Sequence, residues 1–169
     1  MIEHKWYIGY TYPRTEKKVD RSIKEMGIES FLPIHKVKRK WSDRIKEVEV
    51  PLFFNYLFVK TTRPYLSNLL TIDGLSRFIE FGGEPATIAN KQVEAIKKVL
   101  KNNFEFEVKS GKFEKGQKIV ITEGVFEGVE GILVMEQGKN RYLIEIEEMD
   151  QSLSINIPLS YLRSARRLI

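Results

Sequence analysis

Side chains able to do covalent chemistry are few in this sequence. Its 169 residues include no cysteine and two histidines, His4 and His35, which removes thiolate nucleophiles and cysteine-ligated zinc and argues against a histidine-built metal centre. Phosphate-cradling loops fare no better, because Gly82-Gly83 lacks both a third glycine and a following Lys-Ser/Thr. Glu145, Glu147 and Glu148, near the last turn, read as a solvated strand edge. No catalytic residue, metal or cofactor is expected, and the chemistry left to the chain is binding.

Three constellations could bind. Between Arg14 and Met26, at about 100° per residue, Val19, Ile23 and Met26 fall in one narrow stripe, with Arg14, Lys17, Lys18, Arg21 and Lys24 nearly opposite. Such a cationic face suits phosphate contacts, although Asp20 and Glu25 dilute it and a solvated outer face is the alternative. The stretch "HKVKRKWSDRIKEVEV" reads as a hairpin turning at Ser42-Asp43 and carrying Lys36, Lys38, Arg39, Lys40, Arg44 and Lys46. Trp41 in its midst either stacks on an unpaired base or anchors the hairpin in a core. Finally, "PLFFNYLFVK" sends Phe54, Tyr56 and Phe58 to one face and Phe53, Asn55 and Leu57 to the other if it is a regular strand. With Tyr7, Tyr10 and Tyr12 beside it, one face becomes either an exposed patch awaiting a protein partner or half of a two-sided core.

The charge along the chain locates the first two. Residues 1–113 hold 21 Lys/Arg and 14 Asp/Glu, a balance of +7, whereas residues 114–169 hold 7 and 9, a balance of −2. A polyanion would meet the first part and not the second.

The elements that must position these residues follow from periodicity. "KWYIGYTY" predicts a buried first strand, the amphipathic helix ends at Gly27, and "IESFLP" predicts a short strand. After the hairpin and the aromatic strand, in which Asn55 marks a bulge or turn, Pro64 opens a short helix, "LSRFIEF" a strand, and Asn90 a helix bearing Val93, Ile96 and Leu100. The first domain, residues 1–104, is thus expected as β-α-β-β-β-α-β-α, an α+β sandwich with a mostly antiparallel sheet. Residues 105–113 read as a linker. Over 114–169, "KIVIT", "GILVM", "RYLIEIE", "LSINIP" and "YLR" predict a small five-stranded barrel with glycine turns. No apolar run reaches the roughly 18–20 residues of a membrane span and the N-terminus has no signal-peptide pattern, so a soluble, cytoplasmic protein without membrane contact is expected.

These segments match a known family in order. "WYIGYT", "EKKV", "GIESFLP", "KWSDRIKEVEVPLF", "NYLFV" and "GLSRFIEFGGEPATI" resemble the N-terminal (NGN) domain of NusG-type transcription elongation factors, and "KGQKIVITEGVFEGVEGILV" is similar to their C-terminal KOW motif. Lys40 to Val59 looks most like the UpxY-type specialised paralogs, antiterminators of surface-polysaccharide operons, and is also similar to RfaH. General factors usually have F-P-G-Y where this chain has Phe53-Phe54-Asn55-Tyr56; Asn55 agrees with the RfaH-like pattern and Phe54 departs from both.

The resemblance implies an NGN domain seated on the clamp helices of RNA polymerase through Ile8, Tyr10, Phe53, Tyr56 and Phe58, suppressing pausing or termination. It implies contacts with upstream or non-template DNA, with nascent RNA a further candidate. Placement assigns Arg14, Lys17, Lys18, Arg21, Lys38, Lys40, Trp41 and Arg44 to that nucleic-acid surface. An RfaH-like basic contact before Gly74 is not carried over, since Asp73 stands there; Tyr65 to Asn68 would approach the other side of the cleft. The KOW barrel would recruit Rho or a ribosomal protein through a loop at Phe126 and Val129. β-Branched Ile119 to Ile121 and Ile155 to Ile157 favour a stable barrel over a helical, autoinhibiting form, and a monomer is expected. Two further readings stay open: a general housekeeping NusG, and a ribosome- or RNA-associated KOW protein.

Overall fold

The computed structural model describes residues 2–102, 104–111, 116–162 and 165–168, the side chains of Leu159 and Leu162 excepted. Contacts divide the chain into two compact units, residues 1–88 and 89–169.

The first unit runs β1 (Lys5–Thr11), α1 (Glu16–Glu25), β2 (Glu29–Phe31), β3 (Ile34–Lys40), β4 (Ile45–Pro51), β5 (Tyr56–Thr61), α2 (Leu66–Leu69), β6 (Leu75–Phe78), β7 (Glu80–Phe81), β8 (Glu84–Pro85) and β9 (Thr87–Ile88). Its main sheet has the order β2-β5-β1-β6, with β9 also on β1. Every pairing is antiparallel. On one face, Tyr7, Leu57, Val59, Leu75 and Phe78 form a core with Val19 and Ile23 of α1 and Leu66 and Leu69 of α2. Strand alternation sends Ile8, Tyr10, Tyr56, Phe58 and Phe31 to the other face.

Helix α1 ends as its sequence dictates. Gly27 adopts φ 76, its N–H donates to Lys24 O and that of Ile28 to Ile23 O, the double closure that satisfies the last carbonyls of a helix. Met26 therefore falls outside the helix and is exposed, rather than completing the apolar stripe. In the aromatic segment the turn expected at Asn55 interrupts the strand. Asn55 lies at φ 70, Tyr56 N–H donates to Phe53 O, and β5 begins only at Tyr56. A turn therefore precedes the strand, and the alternation assumed for Phe53 and Phe54 fails.

The second unit contains α3 (Asn90–Lys101), β10 (Phe106–Ser110), β11 (Gln117–Ile121), β12 (Glu130–Glu136), β13 (Lys139–Ile146), β14 (Gln151–Asn156), α4 (Leu159–Leu162) and β15 (Ala165–Arg167). Six strands form one antiparallel sheet, β10-β14-β13-β12-β11-β15. Two details depart from the five strands expected. Phe106–Ser110, read as linker, is a strand paired with β14, because Phe106 and Val108 alternate with charged residues; residues 112 and 113 of that linker lie outside the described residues. "YLR" begins within α4 rather than in a strand, Arg163 lying outside the described residues. Gly131 shows why a residue without a side chain sits in β12: a Cβ there would come within 2.4 Å of the Tyr142 ring.

Candidate functional site

Strand pairing builds the aromatic face. Tyr10 of β1 lies opposite Tyr56 of β5, and Ile8 opposite Phe58. The Tyr10 and Tyr56 rings meet edge to face with centroids 5.2 Å apart, and both side chains are half-buried. On the next strand Arg77, opposite Tyr10 in register, holds its guanidinium 4.5 Å from the Tyr10 centroid. Burial raises the Tyr56 phenol above its ordinary value, Tyr10 adds to the rise and Arg77 opposes it. The Tyr56 phenol thus stays neutral near pH 7 and can donate a hydrogen bond at the edge of an apolar surface, a combination suited to a protein interface.

The other three residues assigned to this contact are placed differently. Ile8, Phe53 and Phe58 are buried. Ile8 sits on a strand paired on both sides, and Phe58 packs between Phe31, 6.1 Å away, and Phe53, 6.3 Å away. Ile8 and Phe58 share the face of Tyr10 and Tyr56 but are covered, and with Phe53 they support the exposed part of it rather than forming it. Two members of the face were missed: Arg77 and the half-buried Phe31. Alternation in "LSRFIEF" isolates Arg77 between apolar neighbours, a signal that could have found it.

A built loop fixes the edge of this face. Buried Glu16 accepts the Asn55 N–H at 3.1 Å, and Asn55 Nδ2 donates to Thr11 O at 3.2 Å. Phe54, 63% exposed, then projects beside a groove lined by Pro13, Arg14, Lys17 and Pro51.

The cations of α1 and of the hairpin are all exposed, but their electrostatics differ. Lys17 pairs with Glu49 at 3.2 Å, Lys18 with Asp73, and Lys24 with Asp20 at 2.8 Å. Lys18 holds the Asp73 carboxyl below the ordinary carboxylate range. Arg14 and Arg21 alone among the five have no acidic partner among the described residues. On the hairpin, Lys36 pairs with Glu47 at 3.1 Å, while Lys38, Arg39, Lys40, Arg44 and Lys46 are unpaired among the described residues. Trp41 is 54% exposed, which decides against its anchoring a core.

In the second unit Phe126 and Val129 are buried. Phe126 packs against Phe104, Tyr142 and Tyr161 at 5.2, 6.1 and 6.0 Å, and Tyr142 donates its hydroxyl to Val129 O at 2.7 Å. Both residues hold their loop closed from inside, so the exposed shoulder is formed by Glu123, Gly124 and Glu127. No group of His, Cys, Asp and Glu among the described residues could hold a metal, and none of their helices is long and apolar enough to cross a membrane.

The family model described as "Transcription termination factor nusG" matches residues 4–97, over half of the chain. The chain belongs to the NusG family of transcription termination/antitermination factors. Similar NusG relatives include the transcription termination/antitermination protein of Chlamydia trachomatis, 29% identical over 140 residues covering 76% of each chain. That of Borreliella burgdorferi is 21% identical over 184 residues, covering 93% of this chain and 96% of the relative. The solved structure "Domain interaction in Thermotoga maritima NusG" shares the fold with a TM-score of 0.51 at 17% identity, covering 99% of this chain and 98% of that one. The NusG likeness thus agrees with the α+β first unit and the β second unit derived above.

Proposed function

We propose that this NusG-family chain is a specialised elongation and antitermination factor that binds the clamp helices of RNA polymerase. The observation that carries this reading is the Tyr10–Tyr56 pair with Arg77 over Tyr10, a half-exposed aromatic and cationic cluster on one sheet face. Ile8, Phe53 and Phe58 act by holding that face rigid. Held closed, a clamp stays longer on nucleic acid, and a stabilised bubble resists pausing; each is a shift of populations rather than a chemical step. Arg14, Lys17, Lys18 and Arg21, with Lys38, Lys40, Trp41 and Arg44 of the hairpin, face upstream or non-template DNA in this reading.

The specialised assignment rests on the turn before β5. Asn55 occupies φ 70, a conformation that Asn tolerates, at the position where the general factors are expected to carry Gly. The RfaH-like Asn therefore keeps the turn, and Phe54 adds an exposed apolar side chain to it. Surface-polysaccharide operons are the proposed targets. The second unit is proposed to recruit Rho or a ribosomal protein through the loop that Phe126 and Val129 support. In this reading residues 1–104 are the polymerase-binding domain, 105–113 join the two, and 114–169 are the KOW barrel; the contact division at residue 88 instead groups α3 with the second unit.

Transcription on the cognate polymerase tests the specialised reading. Anti-pausing that depends on a promoter-proximal DNA sequence supports it. Anti-pausing on every template would assign the chain to the general factors instead.

A further inference from the structure

The β3–β4 hairpin is electrostatically one-sided. Register pairs Lys36 with Glu49, Lys38 with Glu47 and Lys40 with Ile45, and these share one face. There, Glu47 is bridged to Lys36 and Glu49 to Lys17. On the opposite face Arg39 lies directly across from Lys46. The remaining residues of that face, His35, Val37, Val48 and Val50, include no acid. Like charges placed opposite one another destabilise a two-stranded ribbon, which is marginal to begin with. Neither cation has an acidic partner among the described residues, so the ribbon carries this opposition for a ligand outside the chain.

Its shape says which ligand. From Lys38 to Glu47 every residue is exposed, including Trp41 and Ile45 at the tip, while the base is tied down by Leu52 N–H donating to Pro33 O at 2.8 Å. The hairpin is an exposed two-stranded arm. Single-strand binders instead use a concave basic groove with successive aromatic platforms, and this arm has one aromatic. Two strands about 4.8 Å apart with their side chains fit a B-DNA major groove, about 12 Å wide, which admits a two-stranded ribbon. The major groove of duplex RNA is too deep and narrow for side chains to read.

We propose that the β3–β4 hairpin is a ribbon arm that enters the major groove of duplex DNA, with Arg39 and Lys46 on its ligand-facing side and Trp41 at its leading end. This deepens the nucleic-acid part of the function proposed above and rests on it: it selects duplex over single-stranded DNA and adds Arg39 and Lys46 to the contact.

The test is binding of the full chain to a DNA duplex of about two helical turns (~20 bp), to its single strand and to the matching RNA duplex, between about 50 and 200 mM salt. Duplex DNA is expected to bind tightest. Arg39→Ala/Lys46→Ala should weaken it about tenfold or more and lower the log–log salt slope by about 2. Lys36→Ala, on the other face, should stay within about twofold, and circular dichroism of the variants should match wild type. Because Trp6 is 2% exposed and Trp41 54%, acrylamide quenching reads Trp41 and should fall when duplex is added. Equal or tighter binding of the single strand or RNA duplex, an unchanged salt slope in the double variant, or unchanged Trp41 quenching overturns the proposal. Polymerase binding by the same proteins separates the readings. If polymerase binds while duplex affinity ignores Arg39 and Lys46, the arm alone fails; if duplex binds as expected without polymerase, the arm stands and the clamp reading fails.

Discussion

Tyr10 and Tyr56 stand opposite each other across the β1–β5 ladder with ring centroids 5.2 Å apart and planes at 74°. Both rings are half-buried, while Ile8 and Phe58, two positions along the same ladder, are buried. The same ladder therefore separates residues that could touch a partner from residues that hold the fold.

That separation predicts opposite outcomes for neighbouring aromatics. Phe58→Ala and Phe53→Ala should each cost about 3–5 kcal/mol of stability, the range for removing a buried phenyl ring. Phe54→Ala, at an exposed site, should stay within about 0.5 kcal/mol. Urea unfolding of the three variants checks this, and a Phe54→Ala loss as large as that of Phe58→Ala would refute the placement.

The turn before β5 gives a second prediction. Asn55→Gly should be close to neutral, since glycine adopts φ 70 freely, whereas Asn55→Ala should lose about 1–2 kcal/mol through left-handed strain, with the Nδ2 bond to Thr11 O lost besides. Glu16→Ala should destabilise as well, by about 1–3 kcal/mol, because the Asn55 N–H loses its acceptor. Thermal unfolding of the three variants would show the order Gly above Ala at position 55.

Acid sensitivity of the second unit should trace in part to Glu136. Its carboxylate accepts from Lys109 Nζ at 2.5 Å, which holds it below the ordinary glutamate value, while Lys109 is raised chiefly by that same bond. A depressed carboxyl contributes stability that is present above its unfolded value of 4.5 and is lost as pH falls through the folded value. A raised lysine contributes stability that is present below 10.5 and lost as pH rises past it. The difference in urea midpoint between wild type and Glu136→Gln should therefore be largest near neutral pH and shrink below about pH 4.5. A difference that grows on acidification would contradict the pairing.

Much of this was legible in residue order because local signals were strong. Gly27 ended α1, Asn55 announced a turn, and the hairpin's alternating valines set its register. What failed depended on tertiary packing. Periodicity alone could not distinguish Phe53 and Phe58, which are buried, from the half-exposed Tyr10 and Tyr56. Nor could the loop position of Phe126 show that its ring turns inward onto Phe104, Tyr142 and Tyr161. Charge counting likewise saw five helix cations without seeing that Lys17, Lys18 and Lys24 are neutralised by Glu49, Asp73 and Asp20. Glu49 and Asp73 are more than 30 residues away along the chain.

The most direct test of the central claim is binding of wild type and of Tyr10→Ala/Tyr56→Ala to cognate core RNA polymerase, with urea unfolding run alongside. The account predicts that wild type binds and that the double variant, still cooperatively folded, binds at least about tenfold more weakly, as expected when two aromatic anchors are lost. Unchanged affinity in the folded double variant, or no binding by wild type, would contradict it.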